Sequence, residues 1–210
     1  MTPDQFVERF RREQASAILR TDDQEKAALA MDAAIRGGFR VLEFTLTVPG
    51  AMDLIRDYAS REDCVVGAGT VLTPAEAARA VEAGAQFLVS PVVDDNVIRA
   101  ATELGVASMP GTHTATEMYQ AHCAGAQMCK LFPAPGLGPA YVQAMLGPLP
   151  FLKIVPTNGV DHKNAGAWMA AGCFGVGFVA TLFEPGFIAA GDWDAIEARA
   201  RDCLAAVRGG

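Results

Sequence analysis

The sequence predicts a single closed (β/α)8 barrel of the TIM type with an extra N-terminal helix, one domain over residues 1–210. Three observations predict it. Short apolar and β-branched runs alternate with amphipathic or alanine-rich stretches, the pattern of parallel strands joined by crossover helices. Eight such runs can be counted, enough to close a ring. A phrase also repeats: Ala83-Gly-Ala-Gln86 and Ala124-Gly-Ala-Gln127 each place a glycine where a helix stops before the next strand, a position that favours left-handed backbone.

Taken in order, a helix is expected near residues 3–13, ahead of the first apolar run at Ala15–Arg20. The remaining strands are expected at Arg40–Leu46, Cys64–Thr70, Gln86–Pro91, Ala107–Gly111, Gln127–Pro133, Leu152–Thr157 and Phe174–Ala180. Helices fall between them near 23–36, 50–60, 74–83, 95–104, 114–124, 138–146 and 162–171, and an eighth near 192–207 ends the chain. A doubly wound open sheet is the alternative, but no GxGxxG turn follows the first strand, where the chain reads Arg20-Thr-Asp-Asp23.

Charge and composition narrow the function. The chain carries a net charge of -7 and only four lysines, Lys26, Lys130, Lys153 and Lys163, whereas a nucleic-acid surface needs clustered cations. The Arg11-Arg12 pair is too short to serve. No apolar run approaches the roughly 20 residues that cross a bilayer, and Met1-Thr-Pro-Asp-Gln-Phe6 lacks a charged-then-apolar secretory pattern. A cytoplasmic protein without membrane or nucleic-acid partners is expected. Five cysteines without CxxC spacing suggest reduced, buried thiols rather than a disulfide framework or zinc site.

Barrel enzymes do their chemistry at the carboxyl ends of the strands. Polar residues interrupting apolar strands near those ends are Arg20, Glu43, Thr45, Thr47, Thr70, Ser90, His113, Lys130, Thr157 and Asn158. Lys130 lies inside Gln127-Met-Cys-Lys-Leu-Phe-Pro133, where an ammonium is costly unless paired or neutralised. A neutral amine adds to a carbonyl, and the resulting imine stabilises a carbanion at the adjacent carbon. The plainer alternative is a lysine snorkelling from a strand end. Lys153 lies four residues before Thr157, toward the stability face of the barrel.

Glu43 interrupts Val41-Leu-Glu-Phe-Thr-Leu46 and shares a strand face with Thr45 and Thr47. An inward carboxylate suits the proton shuttling that imine formation requires; the alternative is a buried ion pair with Arg20 or Arg40. His113 is either a proton-transfer aid at the mouth or a hydrogen-bonded loop histidine. Asp161-His-Lys163 reads as a helix start capped by Asp161. Glu43 and His113 alone leave a metal site short of ligands, so no metal is expected.

Together with Gly67-Ala-Gly-Thr-Val-Leu-Thr-Pro74, Gly84-Ala-Gln-Phe-Leu-Val-Ser-Pro91, Met109-Pro-Gly111, Cys129-Lys-Leu-Phe-Pro133 and Pro156-Thr-Asn-Gly159, the Glu43 strand resembles the bacterial 2-keto-3-deoxy-6-phosphogluconate and phosphogalactonate aldolases. The resemblance spans all eight strands. It implies a cofactor-free class I aldolase, a homotrimer, that cleaves a 2-keto-3-deoxy sugar acid to pyruvate and an aldehyde. It further implies that Lys130 is the Schiff-base lysine and Glu43 the general acid/base, with Thr70, Pro91 and Phe132 enclosing the pyruvate half. In one branch an arginine stands where this chain has Thr47; the galactonate-like branch reads Ile-Leu-Arg at the end of strand 1, as Ala17-Ile-Leu-Arg20 does here. A guanidinium there suits the substrate carboxylate.

The phosphate end departs from the family. Members carry two glycines after strand 7 and a Gly-Ser pair after strand 8, so that backbone amides and a hydroxyl surround a phosphate. This chain has Thr157, Asn158 and Gly159, then Val179 and Ala180. Asn158 or Thr181 offers a partial substitute. The expectation is retained retro-aldol chemistry with an aldehyde half that is smaller, unphosphorylated or differently gripped, 4-hydroxy-2-oxoglutarate being one such substrate. A sugar-phosphate isomerase or decarboxylase would need an intact cradle. A barrel that only binds a keto acid would have no use for two buried ionisable groups, which cost stability. The helix containing Ala165-Gly-Ala-Trp-Met-Ala170 has an apolar face suited to a subunit interface.

Overall fold

The computed structural model describes residues 1–209. Helix α1 (Pro3–Glu13) starts at a capping box: the Thr2 hydroxyl accepts from the Gln5 amide, and the Gln5 side chain accepts from the Thr2 amide. It ends at Gln14, whose left-handed backbone (φ 56°) turns the chain into the first strand.

The barrel then runs β1 (Ala15–Leu19), α2 (Gln24–Arg36), β2 (Val41–Thr45), α3 (Ala51–Ala59), β3 (Val65–Gly69), α4 (Pro74–Glu82), β4 (Phe87–Ser90) and α5 (Asp95–Glu103). It continues with β5 (Ala107–Thr112), α6 (Ala115–Cys123), β6 (Cys129–Leu131), α7 (Pro139–Leu146), β7 (Ile154–Pro156), α8 (Ala165–Ala170), β8 (Val176–Phe178), α9 (Pro185–Ala190) and α10 (Trp193–Arg208). The sheet order is β7-β6-β5-β4-β3-β2-β1-β8, with every pairing parallel. A single bridge between Thr157 and Gly177, with the Phe174 amide donating to the Ile154 carbonyl at 2.9 Å, closes the ring between β7 and β8.

Every strand except β5, which runs one residue further, is shorter than expected, most of all β6 and β8. Backbone bonding outlasts the regular ladder: the Phe132 amide still donates to the Thr112 carbonyl beyond the end of β6. Arg20 falls just past β1, so its side chain emerges from the mouth rather than from within the sheet. One further expectation is corrected. The segment 162–164 is a turn, and Asp161 caps the amides of Lys163 and Asn164 ahead of a helix that begins only at Ala165. Helix α9 was not expected, since six residues opening on Pro-Gly carry little periodic signal. In α8, Ala165 and Trp168 are buried against the molecule's own core, which leaves Ala167 and Ala170 exposed on the outer side.

Period-2 alternation sorts the strand residues into two cores. Outward residues such as Leu42, Phe44, Val66, Leu88, Leu131 and Ile154 pack beneath the helices. Inward residues Val41, Val65, Phe87, Val89, Ala107, Met109, Met128 and Val155 fill the barrel together with Phe6 and Phe10 of α1. Phe6 stacks on Phe87 at 4.4 Å, and Phe10 lies parallel to Phe174 at 6.1 Å. Because its partners include the first residues of β2, β3, β4 and β5, α1 closes the amino-terminal end of the barrel and leaves the other end as the mouth. Phe6 is fully buried, so Phe6→Ala is expected to lower stability by about 3–5 kcal/mol. The readout is a lower urea midpoint at unchanged slope; a loss below about 1 kcal/mol would mean that α1 does not seal the floor.

Candidate active site

Eight strands in a ring place β2 and β6 opposite each other, four positions apart. Glu43 is the central residue of β2 and Lys130 that of β6, and both point inward above the apolar filling. Their side chains meet across the barrel, with Lys130 Nζ 3.6 Å from Glu43 Oε1. Glu43 has no exposed surface and Lys130 only 8%. The partner left open between Arg20 and Arg40 is neither of them: Arg40 is bound to the carbonyls of Ile35 and Phe39 and pairs with Asp63, while Arg20 donates to the Thr70 hydroxyl.

Close packing leaves room for this pair because β3 carries glycines, Gly67 and Gly69, on its inner side above Val65. A Cβ on Gly69 would collide with the Glu43 carboxylate. Burial raises the Glu43 carboxyl above the usual range, partly opposed by the charge of Lys130 and, more weakly, by that of Arg20. Neither Glu43 oxygen has a hydrogen-bond partner, and the buried Thr157 hydroxyl is also unpartnered. Orphaned buried oxygens are uncommon in folded proteins, and these lie in the upper barrel. Lys130 Nζ also sits 5.5 Å from the centre of the Phe132 ring, which covers the amine on the mouth side.

The end of β3 supplies a strained residue. Thr70 has φ 61°, a conformation that β-branched side chains avoid. Its hydroxyl accepts from Arg20 Nη2 at 3.3 Å, tying the mouth of β1 to that of β3. Thr47 is turned to Thr45, hydroxyl to hydroxyl at 2.9 Å. Pro91 and Phe132 border a cavity of about 890 Å³ that opens outward between the loops after β4 and β5. His113 lies on the rim of that cavity: its amide donates to Glu117, its ring lies along Tyr141, and the Tyr141 hydroxyl donates to its carbonyl. Its hydrogen bonds among the described residues all run through the backbone, and the ring is placed by Tyr141. Lys153 precedes β7, away from the mouth.

The loops after β7 and β8 bring the remaining candidates together only in part. Thr157 packs against Gly177, whose added Cβ would lie 2.6 Å from the threonine oxygen. Asn158 and Gly159 follow with left-handed backbone (φ 60° and 117°). Ala180 lies apart from them, in the wall of a second cavity of about 430 Å³ shared with Ile18, Arg20 and Val179. The Thr181 hydroxyl donates to the Val160 carbonyl at 2.7 Å. Sequence reasoning missed Gly69, which could have been suspected from Gly67-Ala-Gly69 alternating inward beside Glu43.

Comparison with known proteins agrees with this geometry. Residues 7–199 match the family model described as KDPG and KHG aldolase. The chain is 38% identical over 179 residues to the probable 2-dehydro-3-deoxy-6-phosphogalactonate aldolase of Rhizobium meliloti, covering 84% of each chain. It superposes on the native KDPGal structure with a TM-score of 0.84 at 32% identity, covering 93% of this chain and 94% of that one. It also superposes on the KDPG aldolase of Legionella pneumophila, captured with pyruvate as a covalent carbinolamine intermediate. That TM-score is 0.83 at 27% identity, covering 91% of this chain and 94% of the other. With 193 of its residues spanned by the family model and its strands in matching array, this chain belongs to the KDPG and KHG aldolase family.

Proposed function

We propose that this chain is a class I aldolase, acting without metal or cofactor, that cleaves a 2-keto-3-deoxy sugar acid of the phosphogluconate or phosphogalactonate type to pyruvate and an aldehyde. The observation that carries the reading is the buried pair of Lys130 and Glu43 facing each other across the barrel.

Lys130 Nζ attacks C2 of the keto acid, and the former carbonyl oxygen takes a proton from Glu43. Glu43 regains a proton from the carbinolamine nitrogen and passes it to the hydroxyl, which leaves as water and gives a protonated imine. Glu43, now a carboxylate, removes the proton from the C4 hydroxyl. The C3–C4 bond then breaks, the aldehyde departs, and the electron pair enters the imine to form an enamine. Protonation at C3 and hydrolysis return pyruvate and free Lys130. A carboxyl held above its usual range by burial is suited to give and take protons in turn. Arg20 and Thr70 hold the substrate carboxylate, a role their hydrogen bond pre-organises. Pro91 and Phe132 enclose the pyruvate half, while Thr157, Asn158, Gly159 and Ala180 face the aldehyde half.

The reading extends to a one-domain cytoplasmic homotrimer without nucleic-acid or membrane partners. Exposed apolar residues Leu72 and Val92, in the loops after β3 and β4, support a subunit contact, and no described helix is long and apolar enough to cross a membrane. The test is reductive trapping: pyruvate with borohydride is expected to leave a stable adduct on the peptide holding Lys130, read by mass spectrometry. An unmodified protein, or an adduct on Lys153, would overturn the assignment.

A further inference from the structure

In the loops after β7 and β8, several of the groups that could meet a phosphate are already occupied. The amides of Leu182 and Phe183 donate to the Val179 carbonyl at 3.1 and 2.9 Å. Pro185, the first residue of α9, has no amide hydrogen, and the Thr181 hydroxyl is bound to Val160. After β7, the carboxylate of Asp161 accepts from the Lys163 and Asn164 amides at 2.8 and 2.9 Å, so a negative group already fills that cluster of donors. Val179 adds a side chain on the barrel side of the β8 loop.

Beside these loops lies the 430 Å³ cavity, within the ~300–1,000 Å³ common for small-molecule sites. Its inner wall is Ile18, paired in register with Glu43 on the next strand, so it opens one strand away from the reacting centre. Val179, Phe183 and Ile188 make it largely apolar, and Arg20 and Lys26 bring cations to it. Lys26 is half-buried in the first turn of the 13-residue helix α2, where the helix dipole disfavours a cation. Asp23 caps the Lys26 backbone amide at 3.0 Å, but the Lys26 ammonium enters no ion pair among the described residues. Asp22 lines the same cavity.

We propose that this cavity takes the far end of the aldehyde half, and that Lys26 grips its terminal phosphate in place of the glycine-amide cradle. The proposal rests on the aldolase reading above and names how that site selects its substrate. Arg20 stays with the carboxylate at C1, Lys26 meets the phosphate at the far end, and Asp22 accepts from intervening hydroxyls. Apolar walls exclude water and strengthen the attraction between ammonium and phosphate.

The experiment compares kcat/KM for 2-keto-3-deoxy-6-phosphogalactonate and its unphosphorylated counterpart on the wild-type chain, Lys26→Met and Lys26→Arg. The wild type should favour the phosphorylated acid. Lys26→Met should cut that preference by about 10–100-fold, the range for losing a charge-assisted contact, mainly through KM. Lys26→Arg should keep most of the preference. Equal losses on both substrates in Lys26→Met, or a wild type indifferent to the phosphate, would overturn the proposal; indifference would mean that the cavity takes an unphosphorylated tail. Borohydride trapping of pyruvate on the wild type separates the two levels. An adduct on Lys130 beside an unchanged preference in Lys26→Met defeats the phosphate subsite alone, whereas no adduct defeats the aldolase reading beneath it.

Discussion

Lys130→Met is expected to reduce the aldol cleavage rate by about 10⁵-fold or more while leaving the barrel folded. Removing a covalent nucleophile elsewhere costs that order, because what remains is binding without a reaction path. Methionine keeps the length and apolar stem of lysine, so packing against Phe132 is conserved. The variant should also lose the pyruvate adduct, and retention of more than about one part in a hundred of the rate would remove Lys130 from the mechanism. Its stability should respond to pH in a defined direction. The Glu43 carboxyl is raised by burial, and Lys130 supplies the main opposing influence. Without that charge the folded state holds its proton to still higher pH than the unfolded chain does. Stability therefore falls as pH rises from the ordinary carboxylate range toward the folded value, and is greatest below that window. Thermal melts of both proteins across pH would show the wild type less affected, since its ion pair offsets part of the cost.

Glu43→Gln is expected to lower kcat by ~10²–10⁴-fold, the usual contribution of a positioned acid/base. Glutamine retains the shape and fits the space left by Gly69, but it carries no exchangeable proton at neutral pH. A plain structural role predicts a different outcome: a modest loss with an unchanged pH profile. Proton transfer by Glu43 predicts that the acid limb of the wild-type kcat profile, displaced upward with its carboxyl, disappears in the variant. Pyruvate trapping should slow rather than vanish, because Lys130 is still present.

Much of this was legible in the sequence, for physical reasons that also set the limit. Lys130 and Glu43 stand out because a charged residue inside an apolar period-2 run has few bland explanations. Their pairing did not stand out: the nearby arginines were plausible partners for Glu43, and only ring closure brings residues 87 positions apart to 3.6 Å. Strand order followed from counting, yet strand ends did not, since residues flanking β6 and β8, such as Phe132 and Phe174, keep single backbone bonds without a ladder. Gly69 was visible only as part of a motif, because the reason for it is a neighbouring side chain. Lys26 was invisible, because the face of α2 on which it meets the cavity depends on the loop after β8.

The phenylalanines of α1 bear on how the chain comes off the ribosome. Phe6 stacks on Phe87, and Phe10 lies beside Phe174, while β1 completes its pairing only with β8. Helix α1, which precedes every strand, is thus among the last parts of the barrel to find all its neighbours. Until the segment before β8 has emerged, the Phe10 ring has no permanent place. Nascent chains stalled before β8 should be the species most dependent on holding by chaperones.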